Sequence, residues 1–186
     1  MVHPFEAVPR EWRGRLFVPL LVATALILAL WVVTVAPMSN ERAPLSVSSF
    51  GTAWTVERAR WMMESWDERA RLSGAFGIGF DFLQLVVYSI TFALACAWVA
   101  QSLRAAGWNM LATAGALVAW GQFAAVLCGT VQNAVMMALL LGSSPEGWLK
   151  VSYFCTILKL LLLFLGPAFA LLGSVVSTRS GRRASA

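Results

Sequence analysis

The chain reads as an all-α membrane protein: a four-transmembrane-helix bundle with an amphipathic helix on its outer face. Three observations carry that reading. Its 186 residues are 59% hydrophobic and only 12% charged, with a mean hydropathy of +0.73. Soluble domains carry about twice that charge. The apolar residues fall in four long blocks, each of at least the roughly 20 residues a helix needs to cross a bilayer core. Between the first two blocks, a polar stretch alternates with helical period. Such a composition excludes an ordinary soluble enzyme, a disordered tail and a nucleic-acid module.

Residues 1–15 form a basic tail ahead of the first span, 16–36, which has no charge in it. Arg10, Arg13 and Arg15 also suit the basic region of a signal peptide. The apolar run is longer than the ~7–15 residues of such a leader, and Val35-Ala36-Pro37-Met38 is a poor cleavage site, so a retained anchor is expected. A loop follows at 37–75, then a second span at 76–100, a short loop at 101–108 and a third span at 109–141. The third is longer than a perpendicular crossing requires and is expected to tilt. A loop at 142–150 leads to the fourth span, 151–176, and a basic tail, 177–186. Pro167 inside the last span lacks an N–H and predicts a kink.

Topology follows from the positive charges. With the N-terminus in the cytoplasm, the inner flanks hold Arg10, Arg13, Arg15, Arg104, Arg179, Arg182 and Arg183 against Glu6 and Glu11. The outer side holds Arg42, Arg58, Arg60, Arg69, Arg71 and Lys150, balanced by Glu41, Glu57, Glu64, Asp67, Glu68 and Glu146. Both termini are therefore expected in the cytoplasm, with 37–75 and 142–150 outside. Trp12, Trp108 and Trp148 fall near the interfaces, and Trp31, Trp98 and Trp120 read as packing residues.

Within the long outer loop, residues 53–72 place Val56, Ala59, Met62, Met63, Trp66 and Ala70 on one helical face, with charges opposite. Two readings follow. Met62, Met63 and Trp66 face lipid from a helix in the headgroup plane, or the helix is a lid or docking face over the spans.

Five polar residues share one depth. By helical rise, Asp81 lies about 8 Å below the outer end of its span and Gln84 about 12 Å. Gln132 and Asn133 lie about 12–14 Å below theirs and Lys159 about 12 Å, with Tyr88 a turn below Gln84. An isolated charge at mid-membrane costs about 3 kcal/mol, so Asp81 and Lys159 are expected to pair. The network is either glue between helices or a small polar site. Gly121, Ala125 and Gly129 recur every four residues in the third span and predict a close helix approach, within the chain or to a second copy.

No Walker loop, zinc-protease helix or nucleophile elbow is present, and no cofactor is expected. His3 is the only histidine. Cys96, Cys128 and Cys155 lie apart in apolar runs and read as small hydrophobes, without the CxxC spacing of a redox pair.

Gly79-Phe80-Asp81-Phe82-Leu83 with Tyr88, then Gln132-Asn133 and Lys159, resembles a set of bacterial four-span membrane proteins of unassigned function, over about residues 74–170. Their pattern has an acidic residue before the Asn of span three, where this chain has Gln132. The resemblance implies a four-span architecture in a bacterial inner membrane, and no activity. The expected function is a non-catalytic accessory or scaffold component, with the bilayer and a second copy or membrane-complex subunit as partners. Small-solute or ion binding through the polar layer is the alternative.

Overall fold

The computed structural model describes residues 2–143 and 146–184, without the side chains of residues 10 and 178–184. Nearly all of it is helical: α1 Arg10–Val35, α2 Val47–Gly51, α3 Val56–Met63, α4 Glu68–Ala105, α5 Asn109–Leu140 and α6 Glu146–Ala184. Four of these, α1, α4, α5 and α6, are long and apolar enough to cross a membrane. Their surfaces agree with that solvent. Leu26, Leu28, Leu30, Val32 and Val33 of α1 are exposed, as are Leu161, Phe164, Leu171 and Leu172 of α6. A contiguous apolar surface of this extent is stable only against lipid or protein.

Several boundaries differ from those expected. Helix α4 begins at Glu68, so the last part of the long loop is the first part of the second long helix. The amphipathic stretch 53–72 is accordingly not one helix. Thr55 caps α3 by accepting from Arg58 N at 3.2 Å, and the chain turns at Glu64–Asp67 before α4 starts. The loop expected at 142–150 shrinks because α6 starts at Glu146, and its residues 144 and 145 lie outside the described residues. The C-terminal tail expected from 177 is a continuation of α6 to Ala184; the side chains of Arg179, Arg182 and Arg183 lie outside the described residues, as do residues 185 and 186.

By packing, the chain forms two units, each containing a stretch of all four long helices. A terminal unit comprises the chain up to residue 24, 87–125 and everything from residue 160. A loop unit comprises 25–86, with α2 and α3, and 126–159.

In the terminal unit the N-terminal residues are not a solvated tail. Pro4–Ala7 make a turn of 3₁₀-helix, with His3 Nδ1 accepting from Phe5 N at 3.2 Å and Glu6 Oε1 accepting from His3 N at 3.0 Å. Glu6 also pairs with Arg104 of α4. Arg13 is buried; it donates to Val8 O at 2.8 Å, to Glu6 O at 3.1 Å and to Gln101 Oε1. The His3 ring stacks 5.6 Å from Phe123 and lies edge-on to Trp120 at 4.9 Å. Burial holds the His3 pKa below the ordinary histidine value, and the Glu6 carboxylate opposes the shift. The unfolded chain therefore binds a proton that the folded segment resists. Stability from this contact is complete above about pH 6.5 and declines as pH falls below it. Protection factors of the amides in residues 2–9, taken relative to the base-catalysed intrinsic exchange at each pH, should fall between pH 7 and 5, and His3→Phe, which keeps the ring packing but cannot titrate, should flatten that response.

Also in this unit, α5 and α6 approach closely, since a Cβ on Gly121 would lie 3.0 Å from Leu162. Pro167 sits within continuous α6, and the carbonyls around it have partners: Gln122 Nε2 donates to Leu162 O at 2.8 Å and Cys96 Sγ to Gly166 O at 3.2 Å.

The loop unit has the larger apolar core. Val47 and Phe50 of α2, Val56, Ala59 and Met62 of α3, and Trp66 and Ala70 pack with Ile78 of α4, Val135, Met136 and Leu139 of α5, and Leu149 of α6. This corrects the lipid-facing reading of the amphipathic stretch. Met62 and Trp66 are buried at 4% and 3% exposure, and Met63 packs half-buried against the same core. Trp66 Nε1 donates to Met38 O at 2.9 Å, and its ring meets Phe50 edge-on at 5.1 Å. The apolar face is used against protein.

Candidate functional site

The site is built in the loop unit from polar residues of three helices. On α4, Asp81 and Gln84 are three residues apart, which puts them on one face, and both are buried. On α5, Gln132 and Asn133 are buried; on α6, so are Ser152, Thr156 and Lys159, a stripe at i, i+4 and i+7 on an otherwise apolar helix.

Asp81 is the hub. Its Oδ2 accepts from Asn133 Nδ2 at 2.9 Å and lies 3.5 Å from Lys159 Nζ. A carboxylate and an ammonium taken out of water need such hydrogen-bonded compensation. The lysine reaches its partner along a groove made by Gly129, where a Cβ would lie 3.0 Å from Lys159 Cδ and would collide with Leu85 of α4. Gly121 and Gly129 thus bring α5 against side chains of this chain, Leu162 in the terminal unit and Leu85 and Lys159 in the loop unit, with Ala125 buried between them in sequence. No second copy is needed to occupy that stripe.

Helix α2 covers this layer. Thr156 Oγ1 shares its proton between Gly51 O at 3.0 Å and Ser152 O at 2.8 Å. A Cβ on Gly51 would lie 2.5 Å from Gln132 Nε2 and 3.3 Å from Met136 Sδ, so α2 rests directly on the ends of these two side chains. Beneath it, Gln132 Nε2 has only a long contact to Met136 Sδ, at 3.9 Å. Gln84 Oε1, Gln132 Oε1 and Asn133 Oδ1 are buried and have no hydrogen-bond partner among the described residues. A buried amide oxygen without a donor costs about 1–3 kcal/mol. Three in one layer mark it as a place where a hydrogen-bond donor or a cation is welcome.

Tyr88, grouped with these residues by sequence, belongs to the terminal unit, where it is buried with its ring 6.2 Å from Phe92. Residues the sequence did not single out are Gly51, Ser152 and Thr156. The i, i+4, i+7 spacing of Ser152, Thr156 and Lys159 was a readable signal for the last two; nothing local marks Gly51.

No family model, curated protein or solved structure matches the chain.

Proposed function

We propose that this chain is a non-catalytic component of a bacterial inner membrane, crossing it four times with both termini in the cytoplasm, and that the polar layer locks its helices in register. The observation supporting this is the closure of Asp81 within the chain: Asn133 and Lys159 reach it from α5 and α6, and α2 seals the same two helices. A charge pair so arranged specifies one packing against alternatives, a use of buried polarity known in helical assemblies. The exposed apolar faces of α1 and α6 are then the surfaces offered to lipid and to partner subunits.

A second reading is favoured by the three amide oxygens without donors. In it the layer takes a small polar solute or a cation, coordinated by Gln84, Gln132 and Asn133 beside Asp81. One experiment separates the two. Purified wild type and Lys159→Met are screened by thermal shift against monovalent and divalent ions, small amines and amides, and lipids. The scaffold reading expects the variant to melt earlier and no small solute to stabilise either protein. A solute that stabilises the wild type and not the variant would replace it with the binding reading.

A further inference from the structure

We infer that the loop unit holds one phospholipid with a primary-amine headgroup, a phosphatidylethanolamine, in a cavity between the starts of α3 and α6. The inference needs the chain to lie in a bilayer, and it is independent of whether the polar layer around Asp81 is a lock or a binding site. The cavity has a volume of about 340 Å³, within the ~300–1,000 Å³ of ligand sites. Trp54 and Glu57 line it at the start of α3, and Glu146 and Lys150 line it in the first turns of α6.

Trp54 forms the aromatic wall. Its ring is held by edge contacts to Tyr153 at 4.9 Å and Phe154 at 5.7 Å, yet the residue stays 42% exposed. Lys150 Nζ stands 6.0 Å from the ring centre. Glu57, Glu146 and Lys150 are exposed around the same cavity, and no two of them form an ion pair among the described residues. Separated charges of both signs therefore surround an open indole face. A purely anionic headgroup would meet two carboxylates there, and a simple cation would meet the lysine. A phosphoethanolamine group divides its charge as the cavity does. Its ammonium donates to Glu57 and Glu146 beside the indole, and its phosphate accepts from Lys150. A primary ammonium has N–H donors for both carboxylates, whereas the trimethylammonium of a choline has none.

The surface beside the cavity points to a lipid as the carrier of that headgroup. Val151, Phe154 and Leu158 follow Lys150 on α6 at i, i+3 and i+7, which puts them on one face, and all three are exposed. They make an apolar track from the cavity along a helix long enough to cross a membrane. An acyl chain lies on such a track without a pocket of its own, because its other neighbours are hydrocarbon. The headgroup needs the polar cavity at the helix end, where Trp54 and Trp148 are exposed in the manner of interfacial indoles.

The test uses full-length protein, delipidated in detergent and titrated with dioleoyl phosphatidylethanolamine, phosphatidylcholine or phosphatidylglycerol, with bound lipid counted by native mass spectrometry. One phosphatidylethanolamine should bind about tenfold more tightly than either other lipid. Glu57→Gln combined with Glu146→Gln should abolish that preference, and Lys150→Gln should weaken the same lipid about tenfold. These side chains are exposed, so the variants should melt with the wild type and lost binding will not be lost folding. Equal affinity for the three lipids would overturn the proposal. So would a preference that survives the double carboxamide variant, because the lipid would then sit elsewhere. Glycerophosphoethanolamine, the same headgroup without acyl chains, separates a lipid from a soluble ligand. It should compete only at far higher concentration than the lipid, and competition at equal concentration would overturn the assignment to a lipid.

Discussion

Lys159→Met alone should lower the stability of the folded protein by about 3–5 kcal/mol, the cost of leaving one member of a buried ion pair without its partner. The carboxylate of Asp81 would keep the Asn133 amide as its hydrogen-bond partner, a neutral donor that offsets only part of the charge. Asp81→Leu should cost a similar amount by stranding the ammonium. The double variant, Asp81→Leu with Lys159→Met, should recover most of the loss, because two apolar side chains at membrane depth need no compensation. Thermal unfolding in detergent, followed by tryptophan fluorescence and checked by size exclusion, measures all four proteins. A double variant no more stable than either single one would show that Asp81 and Lys159 do not compensate each other.

Trp66→Ala should be comparably damaging, at about 3–5 kcal/mol, since deleting a large buried aromatic loses its burial and leaves a cavity. The indole is enclosed by the loop unit's core, meets Phe50, and donates to Met38 O. Trp66→Phe should keep most of the packing and lose mainly the hydrogen bond, at about 1 kcal/mol. If Trp66→Ala unfolded at the wild-type midpoint, the side chain would be facing lipid after all, and the lid would not be part of the core.

How far the chain can be read without its structure varies from one element to the next. The four long helices are legible because bilayer crossing demands an apolar run of fixed length, a property of consecutive residues. Asp81 and Lys159 were expected to pair because a lone charge at that depth is costly, and their sequence positions alone bring them to one level. The face of the amphipathic stretch was legible from its period, but its destination was not: Met62 and Trp66 suit lipid and protein equally well by hydrophobicity. The break between α3 and α4 was missed because the apolar spacing of 53–72 continues through it. Residues 1–15 read from the sequence only as a basic tail, because nothing local marks the partners of its arginines. Arg13 instead finds Val8 O, Glu6 O and Gln101, partners separated from it by up to 88 positions.

By itself, then, the sequence determined the number of long helices apolar enough to cross a membrane and the matching positions of the polar residues along three of them. These follow from local composition and a fixed rise per residue. Tertiary structure decided that Asn133 shares Asp81 with Lys159, that Gly51 admits α2 over Gln132, and that Gly121 and Gly129 of α5 meet this chain's own side chains. Each of these depends on which faces of separate helices meet, and that is set by side-chain volume and shape rather than by hydropathy.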